Sequence, residues 1–159
     1  MEIAKPTSST TEGPFYKKGS PEKTRLHEEG VPGERLALKG HVFDSEGSPI
    51  AGAWLDFWQA DGNGRYDNKG YVLRGHQYAD ESGKYTPETV VPGHYPGRTP
   101  HIHVKVKSRD GRSTLTTQLF MPGLATNKTD PIFRDELVVC MSSSSGAKSA
   151  TFDFVIDLS

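Results

Sequence analysis

The sequence holds a single cysteine, Cys140, among 159 residues. That excludes an intrachain disulfide framework and any zinc or iron–sulfur centre built on thiolates. It lacks a run of about 20 apolar residues, so no helical membrane span is expected. Charge of one sign is not in surplus either: 19 Lys and Arg stand against 20 Asp and Glu, for a net charge of −1. A nucleic-acid partner held on a basic footprint is therefore not expected. Helix-period segments of ordinary length are also missing. Met1 to Lys5 offers no apolar stretch of the kind a signal peptide needs. A cytoplasmic location is the expectation, with a secreted mature form as the alternative.

What is present is β-prone sequence cut into short pieces. A third of the residues are hydrophobic, and 17 glycines and 11 prolines punctuate them. This length suits one domain, which buries roughly 68–70% of its unfolded surface without staples. The pattern predicts an all-β fold, a single-domain β-sandwich or barrel with long irregular loops. Residues 1–34, rich in Ser, Thr, Pro, Gly and charge, are expected to form an irregular arm, and residues 35–159 the sandwich. Strands are expected at Leu36 to Asp44, Ala53 to Gln59, His101 to Lys107, Leu115 to Met121, Leu137 to Met141 and Phe152 to Leu158. Gln77 to Asp80 and Lys84 to Thr86 flank Glu81-Ser82-Gly83 as a hairpin. A helical turn is expected near Pro131 to Glu136, a loose hairpin tip at Ser142 to Ser145, and a buried strand position for Cys140.

The pattern that carries chemistry is His101-Ile102-His103 on a strand. Side chains alternate between faces, so both imidazoles point one way while Ile102, Val104 and Val106 point into the core. Two such imidazoles can chelate one metal ion, and the donor suits iron, copper, nickel or zinc. They can equally be two surface histidines continuing into Lys105 and Lys107. Tyr66, Tyr95 and Arg98 lie on loops at strand ends, where sites are commonly built. Asp61 to Asp67 lacks the later oxygen ligands of an EF-hand. Asn127-Lys128-Thr129 is a formal glycosylation sequon.

Several stretches resemble the intradiol ring-cleavage dioxygenases. They are Gly52-Ala53-Trp54-Leu55-Asp56-Phe57-Trp58-Gln59-Ala60-Asp61, Gly64-Arg65-Tyr66-Asp67, Leu73-Arg74-Gly75, and Pro92-Gly93-His94-Tyr95-Pro96 leading into Arg98-Thr99-Pro100-His101-Ile102-His103. The arm segment Thr11-Glu12-Gly13-Pro14-Phe15-Tyr16 is similar too. The resemblance implies an all-β, single-domain β-sandwich with long irregular loops forming a metal site at one end, and a non-haem Fe(3+) held by Tyr66, Tyr95, His101 and His103. It further implies a catechol-type substrate, O2 as co-substrate, and ring opening between the two hydroxyls to a cis,cis-muconate-type diacid. Tyr95 would be the ligand that leaves and takes a substrate proton. Arg98 would stabilise the electron-rich substrate, with Gln118 as a supporting group. The loop between Tyr95 and Arg98 is shorter than in many relatives, and no helical dimerisation segment like that of the catechol dioxygenases is expected. Monomer and homodimer both stay open. Two other readings compete: a non-catalytic transthyretin-like binding module, and a zinc hydrolase or cupin-like enzyme using the two histidines.

Overall fold

A computed structural model describes residues 4–158. Ten strands build two sheets that pack face to face. The first sheet is organised on β1 (Arg35–Asp44), whose Leu36, Leu38 and Val42 alternate inward as expected. On one side β1 pairs antiparallel with β5 (Glu88–Val90) and β4 (Lys84–Tyr85). On the other it pairs parallel with β9 (Ala147–Thr151) and β10 (Phe154–Ile156), and β8 (Cys140–Ser144) closes that edge. The second sheet runs β3 (Arg74–Tyr78), β2 (Trp54–Gln59), β6 (His101–Lys107), β7 (Thr114–Phe120). Leu55 and Phe57 of β2, Ile102, Val104 and Val106 of β6, and Leu119 of β7 are fully buried between the sheets. This is the β-sandwich that the resemblance implies.

The differences are local. The turn at residues 80–84 forms, with Gly83 N–H on the Asp80 carbonyl. However, its flanks go to different sheets, so it is a corner and not a hairpin. The serine run is strand, not tip: Ser142 to Ser144 pair with β9, and the turn falls on Ser145 and Gly146. Its exposed, hydroxyl-rich face hides the strand signal. Cys140 starts β8, the edge strand of the first sheet, and is exposed rather than buried. Two 3-10 turns, Ala125–Lys128 and Asp135–Leu137, replace the single expected helical turn. Asn127 is buried and bonded to the Met121 carbonyl at 2.8 Å, so the sequon is closed to a glycan in the folded chain.

The arm does more than run over the surface. Thr7 bonds β10, and Thr10 N–H donates to Thr116 O on the outer edge of β7, covering an otherwise open strand. From there it crosses the outer face of the second sheet, and Leu26 ends fully buried in the core. As a result both faces of β2 are buried. Trp58 and Asp56, on the face away from the sandwich core, are 1% and 2% exposed. Alternation along a strand reports two faces, but not that both are covered.

Candidate active site

The register of the second sheet lines up four side chains in one row. Arg74, Trp58, His103 and Gln118 sit opposite one another on β3, β2, β6 and β7. All four lie on the face that the arm covers. His101 is one step along β6, paired with Phe120.

Tyr66 and Tyr95 reach this row from two loops, and the Tyr66 loop is held by its own carboxylates. Asp61 Oδ1 accepts the N–H groups of Asn63 and Arg65 at 2.8 and 3.1 Å. Asp67 accepts those of Lys69, Gly70 and Val72, which hold its carboxyl below the ordinary value. Tyr66 is fixed between these two turns. The loops themselves touch through glycine: a Cβ on Gly64 would lie 2.0 Å from the His94 carbonyl oxygen, and one on Gly93 2.3 Å from that of Gly62. Any side chain at either position would push the two tyrosines apart. Their ring centroids lie 5.8 Å apart, edge on face.

Donor atoms converge at the end of the row. Tyr66 Oη is 3.2 Å from His101 Nε2, which is 3.1 Å from His103 Nε2. His101 Nδ1–H donates to the Thr99 carbonyl at 2.7 Å, so its Nε2 carries a lone pair. His103 stacks on Trp58 at 4.7 Å and 8°, and its Nδ1 has no partner. Burial, reinforced by Arg98, brings His101 down to about 4. Burial, His101 and the two arginines Arg98 and Arg74 bring His103 well below its ordinary value. Both rings are therefore neutral at pH 7. Burial pushes the Tyr66 phenol up, while Arg98 and Arg74 pull it down.

This donor set fits a metal ion. Tyr66 Oη and His103 Nε2 compete for one lone pair on His101, and a cation among the three removes the competition. Separations of 3.1–3.2 Å are those of adjacent ligands on a cation with bonds of about 2.0–2.2 Å. Among the described residues no three His, Cys, Asp or Glu side chains gather into a metal site. A centre here therefore draws on the tyrosines, and phenolate oxygen suits a hard cation. Neither a carboxylate nor a third histidine joins the pair, as a zinc hydrolase would need.

Beside the donors lies a cavity of about 320 Å³, lined by Phe15, Tyr66, Tyr95, Arg98, His101 and His103. A larger recess of about 680 Å³ between Pro122 and Phe133 holds none of these donors. Arg98 is locked in place: Nε donates to Asp130 Oδ2 at 2.8 Å and Nη2 to Gln118 Oε1 at 2.6 Å. Gln118 Nε2 in turn donates to the Thr11 carbonyl of the arm. Every residue expected in the site is brought together here: Tyr66, Tyr95, His101 and His103 around the cavity, Arg98 on its wall, and Gln118 behind Arg98.

Sequence reasoning missed three contributors. Buried Asp130 holds both Arg98 and the Thr99 N–H. Burial would raise its carboxyl, but the bonds from Ile132 N–H, Arg98 and Thr99 N–H hold it below the ordinary value. Arg74, 2% exposed, ties the Tyr66 loop to the arm through the carbonyls of Asp67 and Phe15. Phe15 packs on Tyr66 at 4.6 Å and on Tyr95 at 5.2 Å. Arg74 and Phe15 stood inside stretches with family resemblance, a signal that could have found them. Asp130 had only its place before Pro131.

A dioxygenase family model matches residues 11–158, nearly the whole chain and all of the site. The chain belongs to the intradiol dioxygenase family. It is 31% identical over 152 residues to catechol 1,2-dioxygenase of Acinetobacter baylyi, covering 77% of this chain and 49% of that one. The dioxygenase domain of a dioxygenase carbohydrate-binding protein fusion from the cellulolytic bacterium Streptomyces sp. SirexAA-E superposes with a TM-score of 0.93 at 45% identity. That match covers 98% of this chain and 100% of that one. A 3-chlorocatechol 1,2-dioxygenase from Rhodococcus opacus 1CP superposes at 0.88 and 27% identity, over 97% and 74%. The intradiol chain spans about half the length of the curated relatives it matches. The family-model match over residues 11–158 contains the sandwich, both tyrosine loops and β6.

Proposed function

We propose that Tyr66, Tyr95, His101 and His103 hold a ferric iron, and that the chain opens catechol-type rings between the two hydroxyls with O2, giving a cis,cis-muconate-type diacid. One observation carries this reading: Tyr66 Oη, His101 Nε2 and His103 Nε2 converge within 3.2 Å beside a cavity whose wall carries an anchored arginine. The names of relatives support it, being catechol, chlorocatechol and hydroxyquinol 1,2-dioxygenases. A transthyretin-like binding module would need neither the buried histidine pair nor the two tyrosines over it.

Ferric iron, when bound, supplies an electron-poor centre that a vicinal diol can chelate and that activates the ring toward O2. The chain's own residues do the rest. Thr99 and Trp58 fix the two imidazoles, one through a carbonyl and the other through a stack, so the rigid strand supplies the permanent donors. Tyr95 stands on a loop. Its Oη is the group that accepts a proton from a substrate hydroxyl, so binding brings its own base. Arg98 stabilises negative charge that builds up on a ring oxygen. Its guanidinium is preorganised by Asp130 and Gln118, and no reorientation is needed during reaction. Pro14 and Phe15 of the arm form one side of the cavity.

Iron loading tests the reading. Purified chain reconstituted with ferric iron should bind one equivalent and show a visible tyrosinate charge-transfer band that shifts with anaerobic catechol. Tyr66→Phe and His103→Ala should each lose iron. A colourless parent, or iron retained in both variants, contradicts the ligand assignment.

A further inference from the structure

The charges around the cavity carry an inference about which diols it takes, and it rests on the ring-cleavage reading above. We infer that the site selects catechols whose substituents are neutral and apolar, and discriminates against rings bearing a carboxylate. A ring carboxylate needs a cation with unspent charge or several free donors. Neither is on offer here.

Arg98 is the one cation on the cavity wall. Its charge is matched by the buried carboxylate of Asp130 and Nη2 is bonded to Gln118, and what it has left is what the ring-cleavage reading assigns to the ring oxygens, not to a ring substituent. Arg74, behind Tyr66, has Nε, Nη1 and Nη2 committed to Asp67 O, Phe15 O and Asn68 Oδ1. Lys105, on the same sheet face, pairs with Glu12 at 2.5 Å under the arm. Lys17 bonds the carbonyls of Lys69 and Gly70 and lies over the Tyr71 ring. The rest of the wall, away from the donors, is Gly13, Pro14, Phe15, Pro96 and Ile132, with Thr11 as its one polar side chain, an uncharged hydroxyl that accepts the Gly13 N–H. A methyl, halogen or longer neutral substituent gains from leaving water for such a surface. A carboxylate placed there would lose its hydration and meet no counter-charge. At about 320 Å³ the cavity is near the lower bound of ligand pockets, so a single substituted ring fills most of it.

The test uses the iron-loaded chain with three diols substituted at the same ring position. They are 4-methylcatechol, 3,4-dihydroxybenzoate and its methyl ester. The ester keeps an electron-withdrawing carbonyl but has no charge, which separates charge from ring electronics. Two quantities are read: Kd from the shift of the visible band without oxygen, and kcat/KM in air. The proposal expects 4-methylcatechol and the ester each to bind with a Kd at least about tenfold lower than that of the free acid, and to react with a kcat/KM at least about tenfold higher. An acid that binds and reacts as well as the ester overturns the proposal while leaving ring cleavage intact. If none of the three binds or reacts, the ring-cleavage reading falls and takes this one with it. Ile132→Lys puts an ammonium on the half-buried apolar wall and should narrow the acid-to-ester ratio by roughly tenfold. An unchanged ratio in an iron-loaded Ile132→Lys protein that still turns over 4-methylcatechol contradicts the role assigned to the wall.

Discussion

His101 shows how one backbone contact decides a side chain's chemistry. Because the Thr99 carbonyl can only accept, it fixes the proton on Nδ1 and leaves Nε2 for a ligand. Arg98 depends on its neighbours in the same way. Removing its guanidinium should leave iron binding intact, since it is not among the converging donors, and should lower kcat by about 10²–10³. Iron stoichiometry and steady-state turnover of Arg98→Ala check both halves of that statement. Asp130→Asn acts one bond further out. It should cost roughly 3 kcal/mol of stability at neutral pH, because it strips a buried charge pair of one partner. The sign with pH follows from the carboxyl, which is held below its ordinary 3.8 in the folded chain. Its contribution is present above that value and is lost as pH falls through the lower folded one. Unfolding curves of parent and Asn variant should therefore converge in acid, and a gap that persists there contradicts the assignment.

Among the elements, β6 was the most legible and the arm the least. The alternation of His101 to Lys107 states in advance that both histidines share a face and that Ile102, Val104 and Val106 fill the core. No local pattern states that the same face is roofed. Asp56 shows the consequence: its position on β2 reads as a solvent-facing acid, yet it is buried beneath the arm. Ser20 Oγ donates to it at 2.7 Å and Tyr16 Oη at 3.1 Å. Burial raises its carboxyl despite these bonds. Tyr16 also packs on Trp58, the residue stacked on His103, so the arm's fit is transmitted to the ligand row. Tyr16→Phe keeps the ring and removes one bond to a buried acid, which should cost about 2 kcal/mol. A denaturant midpoint that falls at constant slope, with iron stoichiometry unchanged, is the expected result. The β8–β9 hairpin was legible as a hairpin near Ser142 to Ser145, but the reach of its strands was hidden for a different reason. Serines on an exposed edge carry no hydrophobic period, so only pairing with β1 through β9 reveals it.

For the whole molecule, the sandwich provides a rigid sheet and the loops at one end provide what the sheet lacks. The sheet supplies two imidazoles with fixed spacing. Two tight loops, brought into contact by Gly64 and Gly93, supply two phenols. The candidate site residues come from the family resemblance, which names them residue by residue, while the strand alone left both surface histidines and a metal pair open. Asp130 could not be read, since it reaches Arg98 across 32 residues through a 3-10 turn region with no motif of its own.

The measurement that tests the central claim most directly is the identity of the product formed from catechol by the iron-loaded chain under labelled dioxygen. Cleavage between the hydroxyls predicts cis,cis-muconate carrying oxygen atoms from O2, formed in step with oxygen uptake and absent from Tyr66→Phe. A yellow semialdehyde, which arises from cleavage beside the hydroxyls, or the absence of iron-dependent oxygen uptake, would contradict the account.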